Sequence, residues 1–180
     1  MDSVTLYDMA GFAGLGSYFT GVFPADWMRK PSKYPACLIA NTDDSTRGGE
    51  HWVAFNFPDA QTLEYFDSYG YTPYIYPLFN RFIINVIRPK KLVFNEMSVQ
   101  SKQSQTCGLH CLYFLIKRYN GKSFSMIMNN EYSTNKCLND CIVMEYFHRH
   151  RDKTTKRSTG GAIQPSLICQ TCVCKSKFVF

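Results

Sequence analysis

The sequence predicts one folded domain that contains both β-strands and α-helices. Its 180 residues suit a single domain with a sizeable core, and its 45% hydrophobic content argues against disorder. Short apolar runs bounded by turn residues, which are typical of strands, fall in the first hundred positions. Longer apolar patterns, which are typical of helices, follow residue 106.

The strands are expected where the apolar runs are short and end at turn residues, at residues 36–42, 51–57, 62–67 and 91–94. Helices are expected where the apolar pattern is longer, at residues 107–119 and 139–150. Asn120 and Gly121 form a C-cap for the first of these two helices. Residues 3–30 are predicted to form a short helix and then a glycine-broken loop, and residues 79–87 fit either helix or strand.

Charge and cysteine content narrow the class of protein. The formal net charge of +6 suggests an acidic partner such as nucleic acid. No signal peptide or membrane-spanning run is visible, so we expect a soluble intracellular protein with no membrane partner. Eight cysteines in that setting indicate reduced thiols. Their spacing does not match a common zinc site, even if Cys137, Cys141, His148 and His150 are combined, and we expect no metal.

Cys107 is the candidate nucleophile because it stands where a polar loop changes into an apolar helix. Unpaired N–H groups and the helix dipole favour a thiolate at such a position. Cys111, one turn later, fits a core cysteine better. His110 is interpreted as a helix-surface or supporting residue, since a base on the same helix lacks cleft geometry and no carboxylate is evident to orient it.

His51 and Asp67 are the candidate base and its partner. His51 heads a strand after Gly48 and Gly49, and the following Trp52 is expected to stack on its imidazolium. Asp67 ends the next strand and would orient the imidazole. Glu64 is the rival acid, but the two-residue period of a strand directs it to the opposite face. Gly49, Trp52 and Gly108 are assigned to substrate binding.

An oxyanion hole would need an amide donor beside the Cys107 backbone N–H. The loop before Cys107 offers Gln100, Gln103 and Gln105, and spacing alone does not choose among them.

Together these segments resemble the adenovirus proteases, or adenains, and share the order His, acid, Gln, Cys with the related SUMO-specific proteases. The resemblance covers residues 10–120 and is carried by residues 18–21, 36–42, 48–55, 65–70, 98–100 and 107–109. It implies an α+β fold, in which a mixed β-sheet packs with helices and the nucleophile lies at the N-terminus of a central helix.

The resemblance also implies roles for individual residues. It makes His51 the base, Asp67 its partner, Cys107 the nucleophile and Gln100 the oxyanion donor. Two positions depart from the adenain pattern. Asp67 stands where the family often has Glu, and His110 stands where adenain has Phe.

The function implied is that of a viral cysteine endopeptidase, which cleaves precursor proteins at Gly-Gly type sites during virion maturation in the host nucleus. Adenains are stimulated by DNA and by an activating peptide that pairs with a protease cysteine. Residues 88–94 lack that cysteine, which puts the disulfide-linked peptide in doubt. A monomer without metal is expected, with DNA and the activating peptide as stimulators.

Two regions follow from composition: a protease domain over residues 1–150 and a basic, cysteine-containing tail over residues 151–180. Sequence-independent contacts with DNA are expected from basic residues near this boundary, namely Arg149, Arg151, Lys153, Lys156 and Arg157. Two other functions remain open. One is a deubiquitinase or SUMO-protease-like enzyme, and the other is a nucleic-acid-binding module on an inactive protease fold.

Overall fold

Five strands form one mixed sheet, and helices cover both of its faces. The structure, a computed structural model, describes the backbone of residues 1–155 and the side chains of residues 1–149. In chain order the elements are α1 (Ser3–Phe12), β1 (Phe19–Phe23), β2 (Ala36–Asn41), β3 (Trp52–Phe57), β4 (Thr62–Phe66), α2 (Pro77–Arg81), β5 (Lys91–Phe94), α3 (Cys107–Tyr119), α4 (Phe124–Asn130) and α5 (Lys136–Thr155).

The strands lie in the sheet in the order in which they occur in the chain. The two outer pairs, β1 with β2 and β4 with β5, are parallel. The inner pairs, β2 with β3 and β3 with β4, are antiparallel. The predicted α+β class with a mixed sheet is therefore confirmed.

One face of the sheet packs against α1, α3, α4 and α5. Phe66 of β4 and Phe114 of α3 stack in this layer, with ring centroids 4.7 Å apart and planes 6° apart. α3 is central because nearly all its residues from Gly108 to Ile116 are buried. Its first residue therefore lies at the end of a rigid, fully packed element.

The other face of the sheet packs against residues 77–87. Alternate strand residues such as Phe55 and Tyr65 point to this side, where they contact Phe79 and Phe82. α2 continues from Arg81 into a wider helical turn, Phe82–Ile87. Residues 79–87, for which helix and strand were both open, are thus helical.

Three regions differ from the sequence predictions. β1 lies within residues expected to form a loop and pairs in parallel with β2. The seven-residue α4, capped by the Ser123 hydroxyl, was not predicted. α5 begins at Lys136 and ends at Thr155, beyond both ends of the predicted helix 139–150. Within residues 1–155, no helix is both long and apolar enough to span a membrane.

Replacing Phe114 should strongly destabilise the fold, because its ring is fully buried against Phe66. We expect Phe114→Ala to lower the free energy of unfolding by about 3–5 kcal/mol. Urea denaturation followed by circular dichroism measures this. Phe12→Ala is the control, because Phe12 is 78% exposed, and it should change stability by less than about 0.5 kcal/mol. Equal losses in the two variants would contradict the packing described.

Candidate active site

The topology of the sheet brings His51 and Asp67 together. His51 directly precedes β3 and Asp67 directly follows β4. Because β3 and β4 are antiparallel, with Ala54 opposite Phe66, the start of one strand lies beside the end of the other. His51 Nε2 is 2.9 Å from Asp67 Oδ1, and both side chains are buried. The other imidazole nitrogen, Nδ1, does not bond to Asp67 and is available to Cys107.

The Asp67 carboxylate is fully buried and has several hydrogen-bond donors. Besides His51, the Tyr69 backbone N–H donates to Oδ1 at 2.7 Å. The hydroxyls of Tyr65 and Tyr76 each donate to Oδ2 at 3.3 Å. These bonds replace the water that a buried carboxylate loses and hold it in one orientation toward His51.

Asn95 fixes the backbone of the same residue. Its side-chain oxygen accepts the Asp67 N–H at 3.1 Å, and its amide donates to the Asp67 carbonyl at 2.6 Å. The sequence analysis missed Asn95. The available signal was its position directly after β5, since parallel β4 and β5 end at the same edge of the sheet.

Glu64, the rival acid, is engaged elsewhere. Its two carboxylate oxygens accept hydrogen bonds from Arg118 Nε at 2.6 Å and Arg118 Nη2 at 2.8 Å. Asn56 also donates to it at 2.6 Å. Glu64 therefore belongs to an ion pair between the sheet and α3, and Asp67 is the carboxylate beside His51.

Opposite pKa shifts couple Cys107 to His51. Burial alone raises the pKa of the Cys107 thiol, but the hydrogen bond and charge of His51, with backbone bonds from Trp52 and Gly108, lower it overall. Burial alone lowers the pKa of His51, but hydrogen bonds and charges of Asp67 and Cys107 raise it to about 9. Each shift therefore favours the charged form of its group, a thiolate beside an imidazolium.

Cys111 has the opposite character. Its side chain is fully buried, and its thiol donates to the Trp52 carbonyl at 3.2 Å. Burial raises its pKa well above the ordinary range of a thiol. This is the environment of a core cysteine, as expected for the residue one turn after Cys107.

Tyr69 occupies the place expected for Trp52. Its ring lies on the His51 imidazole, with centroids 4.7 Å apart and planes 31° apart. The Trp52 indole N–H instead donates to the Met1 carbonyl at 3.0 Å. In the described part of the chain, the aromatic ring that contacts His51 is thus Tyr69, and the expectation for Trp52 is corrected.

Burial separates the three candidate glutamines. Gln100 is fully buried, whereas Gln103 and Gln105 are exposed. The Ser68 hydroxyl donates to Gln100 Oε1 at 2.6 Å, and Gln100 Nε2 donates to the Ser104 carbonyl at 2.9 Å. The second Nε2 hydrogen has only a long bond, of 3.3 Å, to the Tyr69 hydroxyl. The amide is therefore oriented, with one donor weakly engaged.

The turn after Asp67 connects these groups. Gly70 closes it with an N–H bond of 2.9 Å to the Asp67 carbonyl. Its φ is +76°, and a Cβ there would lie 2.7 Å from the Glu96 carbonyl oxygen and the Ser98 nitrogen. Only glycine fits both conditions. The same turn thus carries Asp67, the Ser68 hydroxyl that bonds to Gln100, and the Tyr69 ring that packs on His51.

The two glycines assigned to substrate binding pack against the protein itself. A Cβ on Gly108 would lie 2.9 Å from the Leu6 side chain and 3.2 Å from that of Met1. The side of buried Gly108 on which a Cβ would lie is therefore filled by the N-terminal segment, and its assignment to substrate binding stays a prediction. Gly49 is exposed in the loop before His51, and a Cβ there would lie 2.8 Å from the Asn41 amide.

Of the two alternatives for His110, the helix-surface position is wrong, and so is the expectation that no carboxylate orients the ring. The side chain is fully buried, and His110 Nε2 lies 2.9 Å from Asp140 Oδ1 on α5. A carboxylate therefore orients this histidine after all. Asp140 lies thirty residues away in sequence, and no local pattern connects the two.

Other candidate features are reported for the described residues only. Among residues 1–149, Cys37, Cys107 and Cys111 are free thiols, and no group of three or more potential ligands could hold a metal. Lys117 and Arg118 are ion-paired with Glu131 and Glu64. Arg149 is exposed and pairs with Glu145 on the same helix. The side chains of Arg151, Lys153, Lys156 and Arg157 lie outside the described part.

A family model and several curated viral proteins match this chain. The family model described as adenovirus endoprotease matches residues 17–159. A protease of bovine adenovirus C serotype 10 is 32% identical over 117 residues, which cover 57% of this chain and 58% of that protein. A protease of frog adenovirus 1 is 33% identical over 130 residues, covering 63% and 61%.

A protease of human adenovirus B serotype 3 is 33% identical over 115 residues, covering 57% of this chain and 54% of that protein. The chain thus spans less than two thirds of the length of the curated relatives it matches.

The reactivity of Cys107 should depend on His51. We expect its alkylation by iodoacetamide to rise with pH at a midpoint below that of an ordinary thiol, because its pKa is lowered. In His51→Ala the lowering influence is lost while burial remains, so the midpoint should rise. Peptide mass mapping against pH measures this at Cys107. Cys111 serves as an internal control that stays unmodified, and identical midpoints in both proteins would contradict the coupling.

Proposed function

Because the chain belongs to the adenovirus endoprotease family, we propose that it is a cysteine endopeptidase that cleaves viral precursor proteins. The observation that carries the proposal is a Cys107 thiol of lowered pKa beside a His51 imidazole of raised pKa. Asp67 orients that imidazole through a hydrogen bond of 2.9 Å. A thiolate, a proton donor and an orienting acid are the groups that this chemistry requires.

In the first half of the proposed reaction, the Cys107 thiolate attacks the carbonyl carbon of the scissile peptide bond. The carbonyl oxygen then carries the negative charge, which the Cys107 backbone N–H and the Gln100 amide stabilise. The weakly engaged N–H of Gln100 is available for this bond, since its present partner, the Tyr69 hydroxyl, lies 3.3 Å away. The protonated His51 donates its proton to the departing amine, and a thioester forms.

In the second half, His51 is neutral and removes a proton from water as the water attacks the thioester. The carboxylic acid product leaves, and the thiolate and imidazolium return to their starting states. Asp67 holds the ring throughout. Its many donors support this role because they keep the orientation of the carboxylate constant.

The proposed substrates are viral precursor proteins with Gly-containing sites of the Gly-Gly type, cut during virion maturation. The support is the resemblance of the segments around His51, Asp67, Gln100 and Cys107 to adenain. The proposed location is the host nucleus and the virion, where the enzyme acts as a monomer, and the same resemblance supports this part of the proposal. Of the two alternatives, the deubiquitinase or SUMO-protease-like function shares Gly-Gly recognition. Substrate probes of that class are therefore included in the labelling experiment.

DNA is the proposed stimulator, together with an activating peptide. The support is the net charge of +6 and the basic residues 149–157. Arg149 is exposed at the described end of this run, although Glu145 neutralises part of its charge. Lys117 and Arg118 are unsuitable for phosphate contacts because carboxylates already engage them.

An electrophilic peptide tests the proposed chemistry. A Gly-Gly peptide whose terminal carboxyl group is replaced by an α,β-unsaturated methyl ester should form an adduct on Cys107, because the thiolate adds to the alkene placed at the scissile position. Mass spectrometry locates the adduct, and Cys107→Ala should remain unlabelled. Ubiquitin- and SUMO-derived probes with the same electrophile form parallel arms. Faster labelling by those probes would favour the alternative enzyme class, and an adduct on Cys37 or Cys111 would overturn the site.

Binding to DNA should depend on salt. We expect added duplex DNA to raise the hydrolysis rate, and the DNA affinity to fall as salt rises. Replacing Arg149, Arg151, Lys153, Lys156 and Arg157 by Gln should reduce the slope of log K against log salt by up to about 4.5. Fluorescence anisotropy measures that slope. Lys117→Gln is the control and should leave the salt slope unchanged. A hydrolysis rate that changes with neither DNA nor salt would contradict the role of DNA as a stimulator.

A further inference from the structure

The first turn of α5 holds the loop that carries Gln100. Asn139 Nδ2 donates to the Val99 carbonyl at 3.0 Å, and Asp140 Oδ2 accepts the Ser101 N–H at 3.2 Å. Two consecutive residues of one helix therefore bond to the residues on both sides of Gln100. Asn139 and Asp140 are fully or almost fully buried, so water does not compete for these bonds.

The same carboxylate reaches the other end of the loop. Asp140 Oδ1 accepts a hydrogen bond of 2.8 Å from the hydroxyl of Thr106, the residue directly before Cys107. Asp140 thus bonds to the residue after Gln100 and to the residue before Cys107. This one side chain therefore links the segments that carry the two proposed oxyanion donors.

His110 completes the arrangement. Its Nε2 lies 2.9 Å from Asp140 Oδ1, and its Nδ1 lies 3.4 Å from the Tyr132 hydroxyl. Burial lowers the pKa of His110 despite the opposing effect of Asp140, so the ring is neutral and Nε2–H is the donor. Burial alone raises the pKa of Asp140, but hydrogen bonds from His110, Ser101 and Thr106 lower it.

We propose that Asp140, oriented by His110, is a positioning residue for the oxyanion step. Its carboxylate sets the separation of the Gln100 amide from the head of α3. The proposal rests on the proposed function, in which Gln100 is the oxyanion donor. Oxyanion donors act only within a narrow range of distances, and an error of about 1 Å costs about 100-fold in rate.

Two reactions of Cys107 separate this role from general support of the fold. In acylation by a Gly-Gly peptide p-nitrophenyl ester, the sulfur adds to the carbonyl, an oxyanion forms and p-nitrophenolate leaves as the thioester is made. In alkylation by iodoacetamide, the sulfur displaces iodide and no oxyanion forms. The ratio of the two rates therefore reports the oxyanion donors, whereas thiolate content affects both rates.

The decisive measurement is this ratio in single-turnover experiments on the full chain. Asp140→Asn keeps the shape of the side chain but replaces one accepting oxygen by a donor. We expect acylation to fall by about 100-fold, as for a misplaced donor, while alkylation changes by less than about threefold. Gln100→Ala should lower acylation by about 100- to 1000-fold, and the double variant should be no slower than Gln100→Ala.

A second pair of variants covers the case in which Asp140→Asn does not fold. Thr106→Val removes the hydroxyl bonded to Asp140 at 2.8 Å and should lower the ratio, whereas Thr106→Ser should restore it. Glu131→Gln is the control. That carboxylate accepts the Tyr113 hydroxyl at 2.7 Å and pairs with Lys117 and Lys122 rather than with the Gln100 loop, so its loss should reduce stability without changing the ratio.

Two outcomes would overturn the positioning role. One is an equal loss of acylation and alkylation in Asp140→Asn, which would mean that the carboxylate supports the thiolate or the fold in general. The other is an unchanged ratio in Asp140→Asn while Gln100→Ala lowers it. If Gln100→Ala itself leaves the ratio unchanged, Gln100 is not the oxyanion donor. The proposed function is then wrong on this point, and the positioning role of Asp140 fails with it.

Discussion

The carboxylate of Asp67 is fully buried, and an ionised group is stable there only if hydrogen bonds and a positive charge replace its water. Three N–H or O–H donors and the His51 ring supply them. Much of the site follows from this requirement. The turn that delivers the Tyr69 N–H to the carboxylate also presents the Ser68 hydroxyl to Gln100. The acid and the proposed oxyanion donor are therefore positioned by the same few residues.

Much of the fold could be predicted because several elements carry their own local signals. α3 begins at Cys107 and ends at Tyr119, as predicted, since a polar loop precedes its apolar run and Asn120 with Gly121 follows it. β1 carries no such signal. Its glycine and short length favour a loop locally, and it becomes a strand by pairing with β2. Likewise, α4 has too few residues for a clear helical period.

The site was predictable where its residues stand at the ends of elements, as His51, Asp67 and Cys107 do. Its supporting contacts were not, because they join segments far apart in the chain. His110 looked like a surface residue until α5 brought Asp140 within 2.9 Å of it. Side-chain burial likewise separates Gln100 from the exposed Gln103 and Gln105, and spacing in the sequence carries no information about burial.

The groups that lower the pKa of Cys107 come mainly from elsewhere in the chain. His51 and the Trp52 backbone lie at the start of β3, many residues before α3, the helix that Cys107 begins. Before the helix docks on the sheet, this cysteine is an ordinary thiol with little nucleophilic power at neutral pH. The chain therefore acquires the lowered pKa of this sulfur only when the helix and the sheet have docked. A partly folded copy lacks these contacts, so the character of the thiol is a consequence of tertiary structure.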